Sequence, residues 1–212
     1  MVGYDAIVLA GGRASRMSGQ AKPQLTVGEA TMVDRVLSAV RGAANRIVVG
    51  PPQSVPDGVV LVQEQPTGGG PVAGMAAGLR QVEAALVVVL AADLPFLSAE
   101  VIASLLAGLD GDPAADLALL VDEHGRDQYL VGAWRTGRLR AALAELEPLP
   151  GRAMRDLVCA VRMLRVSMPA GSAELPPWTD VDTPADLERA RSQAGSHLAH
   201  SPENVRSDPA QT

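Results

Sequence analysis

Two groups of residues in this chain have the types and spacing for phosphate and metal chemistry. The first is Leu9-Ala10-Gly11-Gly12-Arg13-Ala14-Ser15-Arg16-Met17, with Lys22 shortly after. Paired glycines let backbone N–H groups approach an anionic ligand closely. Arg13, Arg16 and Lys22 add positive charge to the same loop. Arginine grips phosphate oxygens as a fork, and lysine acts as a mobile point charge. Together they suit a triphosphate. Gly11 and Gly12 alone would describe an ordinary strand-to-helix turn equally well. Lys22 separates the two readings, because it is the single lysine among 18 basic residues. The second group is Ala91-Ala92-Asp93-Leu94-Pro95. Ser98 is better placed than Asp93 to cap the helix that follows, which leaves Asp93 free to hold Mg²⁺ against phosphate oxygens.

These residues need a scaffold that gathers them. Tyr4–Ala10 is an apolar run closed by Gly11-Gly12 and reads as a buried strand. Pro23 excludes a helix just after Lys22. Thr31 caps a helix carrying Met32, Val33, Val36, Leu37 and Val40 at helical spacing. Arg46–Gly50 and Val59–Val62 are short strands. Pro71 serves in the first turn of a helix to about Val82. Ala85–Ala92 is apolar throughout and predicts a central strand covered on both faces. Ser98 opens a helix to about Gly108. Ala115–Val121 and Tyr129–Trp134 are strands joined by the polar stretch Asp122–Gln128. Arg135–Leu146 and Arg152–Ala160 are helical, Val161–Val166 is a strand, and Asp182, as cap, opens a last helix to about Ser192. Alternating strands and helices predict an α/β fold with a mostly parallel sheet and helices on both faces. Such sheets bind ligands at the carboxyl ends of their strands, where both groups fall.

Composition narrows the function classes. The chain has 212 residues, 47% hydrophobic, 20% charged, with net charge −6 and 2% aromatics. The length suits one domain, read as residues 1–192, and the polar, aperiodic stretch 193–212 is expected to be a disordered tail. The longest apolar run, Ala84–Ala92, has nine residues, against about 20 for a membrane span. Met1–Asp5 has no basic stretch ahead of an apolar run, so no secretory leader is expected. Without a basic stripe or stacking aromatics, nucleic-acid binding is disfavoured. His124, His197 and His200 have no partners at zinc-ligand spacing. Cys159 reads as a small buried hydrophobe. A cytoplasmic protein fits these features.

Leu-Ala-Gly-Gly-x-x-x-Arg-Met followed by lysine resembles the signature loop of nucleotidyltransferases, most closely that of the molybdenum cofactor guanylyltransferases. The resemblance implies a Rossmann-like, GT-A-type nucleotidyltransferase fold. It implies that Leu9, Ala10, Gly11, Gly12 and Lys22 surround the nucleotide phosphates with Arg16 assisting, and that Asp93 of Asp-Leu-Pro binds the metal. Gly70-Pro71-Val72-Ala73-Gly74 resembles the family's nucleobase-pocket segment, through Gly70, Pro71 and Gly74. Glu64, just after the third strand, aligns with an acidic nucleotide contact. Trp178-Thr179-Asp180-Val181-Asp182-Thr183-Pro184 resembles the family's closing Asn-x-Asn-Thr-Pro, with aspartate at both asparagine positions. There Asp180 is a second metal or substrate contact and Asp182 a structural cap. The acidic residue that precedes the family's lysine is replaced by Ala21.

The implied reaction transfers GMP from Mg²⁺-bound GTP to the terminal phosphate of a molybdopterin-type cofactor and releases pyrophosphate. Lys22, Arg16 and Asp93 are its catalytic candidates, and a transient protein partner from cofactor biosynthesis is implied. Gly12 and Pro71 favour guanine, whereas Asp180 and Asp182 lean towards a cytidylyltransferase for the same cofactor. A sugar-phosphate nucleotidyltransferase and a non-catalytic nucleotide-binding relative are the other readings.

Overall fold

The computed structural model describes residues 3–11, 16–17, 20–169 and 175–198. Gly12, Arg13 and residues 199–212 of the expected tail lie outside them, as do the side chains of Arg16 and Met17. Among the described residues, the main sheet has seven strands. They are β1 (Tyr4–Leu9), β6 (Arg46–Val49), β7 (Val59–Val62), β8 (Leu86–Ala91), β9 (Leu117–Val121), β10 (Asp127–Arg135) and β11 (Met163–Ser167), in the order β11-β9-β10-β8-β1-β6-β7. Two small hairpins lie apart from it: β2 (Arg16–Met17) with β3 (Gln20–Ala21), and β4 (Thr26–Val27) with β5 (Ala30–Thr31).

β8 and β1 run parallel at the centre and are buried almost throughout. Alternation along the strands sends side chains to two cores. On one face Ala6, Val8, Val88 and Leu90 pack with α1 (Met32–Ala39) and α3 (Ala99–Gly111). On the other, Ile7, Leu9, Val87 and Val89 pack with α2 (Pro71–Leu79), α4 (Thr136–Glu145) and α5 (Met154–Cys159). Helices on both faces of a mostly parallel sheet are as the sequence predicts. Gly78 brings α2 unusually close to the sheet, since a Cβ there would lie 2.9 Å from both Ile7 Cγ2 and Val49 Cγ2.

Asp5 has a structural role at the end of β1 opposite the glycine loop. It is fully buried and accepts from the Asn45 N–H and Nδ2 and from the N–H groups of Glu83 and Ala84, at 2.7–3.1 Å. Four donors satisfy a buried carboxyl group that would be costly to bury without partners.

β10 is antiparallel to both neighbours, β8 and β9, which a mostly parallel sheet accommodates; local expectations elsewhere are corrected. The stretch joining β9 to β10 is too short for a parallel crossover, which takes a dozen or more residues. Lys22–Gln24 forms a 3-10 turn despite Pro23, which occupies a first-turn position where its missing N–H costs nothing. Ser98 stands at the N-cap of α3, but its hydroxyl makes no bond to the helix backbone. Cys159 is exposed, because α5 turns Leu157 and Val158 to the core and the next residue outward.

The last helix, α6 (Pro184–Leu198), runs past Ser192. Ala194 is buried, and Gln193 hydrogen-bonds both ways with the Leu175 backbone, so the first residues of the expected tail are folded. Leu187, Ala190 and Ala194 of α6 pack with Leu25, Val27, Met32 and Val181 in a third apolar cluster. That cluster fixes the segment leading into α6. Among the described residues, no helix is long and apolar enough to cross a membrane.

Candidate active site

The carboxyl ends of β1, β6, β7 and β8 converge on a cavity of about 460 Å³. Leu9 and Gly11 approach it from β1, Glu64 from beyond β7, and Asp93 from beyond β8. Gly70, Pro71 and Gly74 contribute the first turn of α2. Gly70 caps that helix at φ +90°, a conformation glycine adopts without strain. Helix N-termini carry partial positive charge and favour anions. Seven residues singled out from the sequence therefore share one wall: Leu9, Gly11, Glu64, Gly70, Pro71, Gly74 and Asp93. Glu64 is buried, and its Oε1 accepts from the Gly68 N–H at 2.9 Å. Ala10 is buried behind the wall, with its N–H on the Val49 carbonyl at 2.7 Å.

Lys22 lies beside Asp93. Its Nζ donates to Asp93 Oδ2 at 2.8 Å and to Asp182 Oδ1 at 2.5 Å. The lysine side chain is 8% exposed, against 28% for Asp93 and 61% for Asp182. Burial works to lower the ammonium's pKa, but the bonds to Asp182 and Asp93 outweigh it and the net shift is upward. The bond from Lys22 is the largest influence holding the Asp182 carboxyl below its ordinary value. Asp180 is shifted the other way, by its own burial first and then by the negative charge of Asp182 and of Asp93. Three aspartates and one lysine thus form a single electrostatic cluster.

The segment bearing Asp180 and Asp182 is fastened by backbone and capping bonds. The Val181 N–H donates to the Asp93 carbonyl at 3.1 Å. Trp178 Nε1 donates to Glu123 Oε2 at 2.7 Å. The expected role of Asp182 as cap is corrected, because Thr183 caps α6. Thr183 Oγ1 accepts from the Asp186 N–H, and Asp186 Oδ2 accepts from the N–H groups of Thr183 and Asp182. This reciprocal arrangement works as a capping box. It leaves the Asp182 carboxylate to Lys22 and the Asp180 side chain.

Beside the strand ends and the glycine loop, the wall includes Leu130, Gly151 and Arg152, which no sequence motif marks. Leu130 reaches the cavity because β10 is antiparallel and its start lies at this end of the sheet. Gly151 and Arg152 come from the connection between α4 and α5, which is tied across by a 2.8 Å bond from the Gly151 N–H to the Gly69 carbonyl. The proline- and glycine-rich run Pro148-Leu149-Pro150-Gly151 marked a loop there, but nothing in it pointed to its tertiary neighbour.

Among the described residues, no group of three or more His, Cys, Asp or Glu side chains is arranged to hold a metal by itself. Mg²⁺ commonly binds through one or two carboxylates together with substrate phosphates. Asp93, part-exposed on the cavity wall, fits that kind of site. With glycine backbone, a helix N-terminus and a carboxylate on one cavity, and an ammonium bonded to that carboxylate, the arrangement can hold a polyphosphate and its counter-ion.

A family model described as a MobA-like NTP transferase domain matches residues 6–163. A probable molybdenum cofactor guanylyltransferase of Pelotomaculum thermopropionicum is 29% identical over 201 residues, covering 92% of this chain and 95% of that protein. Another so described, from Trichormus variabilis, is 39% identical over 140 residues, covering 64% and 67%. The solved structure of molybdopterin-guanine dinucleotide biosynthesis protein A from Archaeoglobus fulgidus superposes with TM-score 0.73 at 19% identity, covering 91% of this chain and 99% of that one.

Proposed function

The chain belongs to the family of MobA-like NTP transferase domains, and from that premise we propose that it transfers GMP from GTP to the terminal phosphate of a molybdenum cofactor. The observation that carries the reading is the contact of Lys22 with Asp93 at the rim of the glycine-lined cavity. The names of the curated relatives support the same acceptor and nucleotide.

In this reading an oxygen of the acceptor phosphate attacks the α-phosphorus of GTP. The bond from that phosphorus to the α,β-bridging oxygen breaks, and pyrophosphate leaves with the electron pair. The new bond is the diphosphate of the dinucleotide product. The acceptor is already an anionic nucleophile, so catalysis consists of in-line positioning and charge neutralisation. The Gly11 amide and the first turn of α2 hold phosphate oxygens. Lys22 neutralises them. Asp93, with Asp180 nearby, would hold Mg²⁺, which when bound would supply charge stabilisation to the phosphates. By the motif resemblance, Arg16 and Gly12 are assigned to the phosphates as well. Glu64 reads the base, since a carboxylate can accept from both N1–H and the exocyclic amine of guanine, whereas cytosine offers its exocyclic amine alone on that edge. GTP is an abundant cytoplasmic metabolite, which supports a cytoplasmic location for the reaction. The finished dinucleotide passes to a transient protein partner.

Equilibrium binding of GTP, CTP, ATP and UTP, with and without Mg²⁺, tests the reading. Selective GTP binding that Mg²⁺ strengthens supports it. Preference for CTP would shift the function to a cytidylyltransferase, the alternative that Asp180 and Asp182 favour.

A further inference from the structure

The bond from Lys22 to Asp182 has no part in the transfer as described above. Two of the three ammonium hydrogens are taken by carboxylates, which leaves one for another acceptor. The same Asp93 carboxylate is the one assigned to Mg²⁺. An ammonium and a divalent cation on one carboxylate repel each other. Asp182 is not part of the cavity wall, and Thr183 performs the helix capping, so its carboxylate is shared between the lysine and the neighbouring Asp180 side chain. Its backbone is held by the bond between Val181 and Asp93 and by Asp186. When all are ionised, Asp93, Asp180 and Asp182 against Lys22 leave two negative charges, which one divalent cation would balance.

We propose that Asp182 is a positioning residue that acts through Lys22. The two carboxylates keep the ammonium as an internal counter-cation of the nucleotide-free protein. Lys22 yields Asp93 to the divalent cation that accompanies the nucleotide. Asp182 retains the ammonium at the rim of the cavity, where its other hydrogens meet phosphate oxygens. Metal and nucleotide therefore enter together. The inference rests on the nucleotidyltransferase reading.

The test is Mn²⁺ binding to the nucleotide-free full chain, followed by the paramagnetic resonance of free Mn²⁺. Lys22→Met should bind Mn²⁺ at least tenfold more tightly than wild type, while Lys22→Arg, which keeps the charge, should stay near wild type. Thermal melting with and without Mn²⁺ guards against a folding defect, and Lys22→Met should gain more in Tm from Mn²⁺ than wild type. Asp182→Asn should weaken GTP binding at fixed Mn²⁺ severalfold, and Asp182→Glu should restore it. Equal Mn²⁺ affinity in wild type and Lys22→Met, or unchanged GTP binding in Asp182→Asn, would overturn the inference. GMP transfer by wild type is read separately. Its absence alongside tightened Mn²⁺ binding in Lys22→Met would defeat the proposed function and leave the counter-cation standing.

Discussion

The N–H of Val181 donates to the carbonyl of Asp93 at 3.1 Å, and this bond joins the segment leading into the last helix to the end of the central strand. It sets Asp180 and Asp182 on either side of a fully buried Val181, beside the carboxylate that follows β8. The cluster around Lys22 exists because these two parts of the chain meet.

Lys22→Ala removes the cation that neutralises the phosphates. Removing one preorganised electrostatic contact in a phosphoryl-type site lowers kcat by roughly 10²–10³-fold. Steady-state pyrophosphate release should show a loss of that order. Near-wild-type turnover would remove Lys22 from the machinery.

Asp93→Asn should cut turnover by a similar factor of roughly 10². It should also raise the Mg²⁺ concentration needed for half-maximal rate. An Mg²⁺ titration of initial rates distinguishes this from a helix-capping role, which would leave the metal dependence unchanged.

Asp5→Ala leaves four buried or part-buried donors without their acceptor. Unsatisfied buried donors cost about 1–3 kcal/mol each, so a loss of about 3 kcal/mol or more is expected. Urea unfolding should show a lower midpoint with the slope retained. Because Asp5 lies at the opposite end of β1, GTP affinity of the folded variant should be unaltered.

The Asp186 carboxyl is held down to about 2 from 3.8, by the Thr183 hydroxyl first and then by Arg189 and the Thr183 backbone. A carboxylate whose pKa falls on folding stabilises the fold above its unfolded value, and that contribution fades as pH drops through the folded value. Between about pH 4 and pH 2, wild type should therefore lose stability more steeply than Asp186→Asn. Parallel curves in denaturant titrations across that range would contradict the capping-box assignment.

Much of this was legible in the residues. The apolar run at β8 predicts a central strand, and the glycines after β1 and before α2 predict loops at its carboxyl end. Lys22 was marked by being the one lysine, and Asp93 by following a buried strand. What stayed hidden depended on tertiary contacts. Asp182 looked like a cap because it precedes Thr183-Pro184, and only folding shows Thr183 taking that task. Leu130 and Arg152 carried no signal because β10 reverses direction and the connection after α4 folds back on Gly69. Gln193 read as tail because its partner is the Leu175 backbone, which no periodicity reports.

The most direct test of the central claim is product formation by the wild-type chain. GTP or CTP is incubated with Mg²⁺ and a molybdopterin-type cofactor, and dinucleotide and pyrophosphate are measured together. Equimolar pyrophosphate and guanine dinucleotide are expected, dependent on the acceptor, with at least tenfold less product from CTP. Faster cytosine dinucleotide formation, or no acceptor-dependent pyrophosphate from GTP, would contradict that claim.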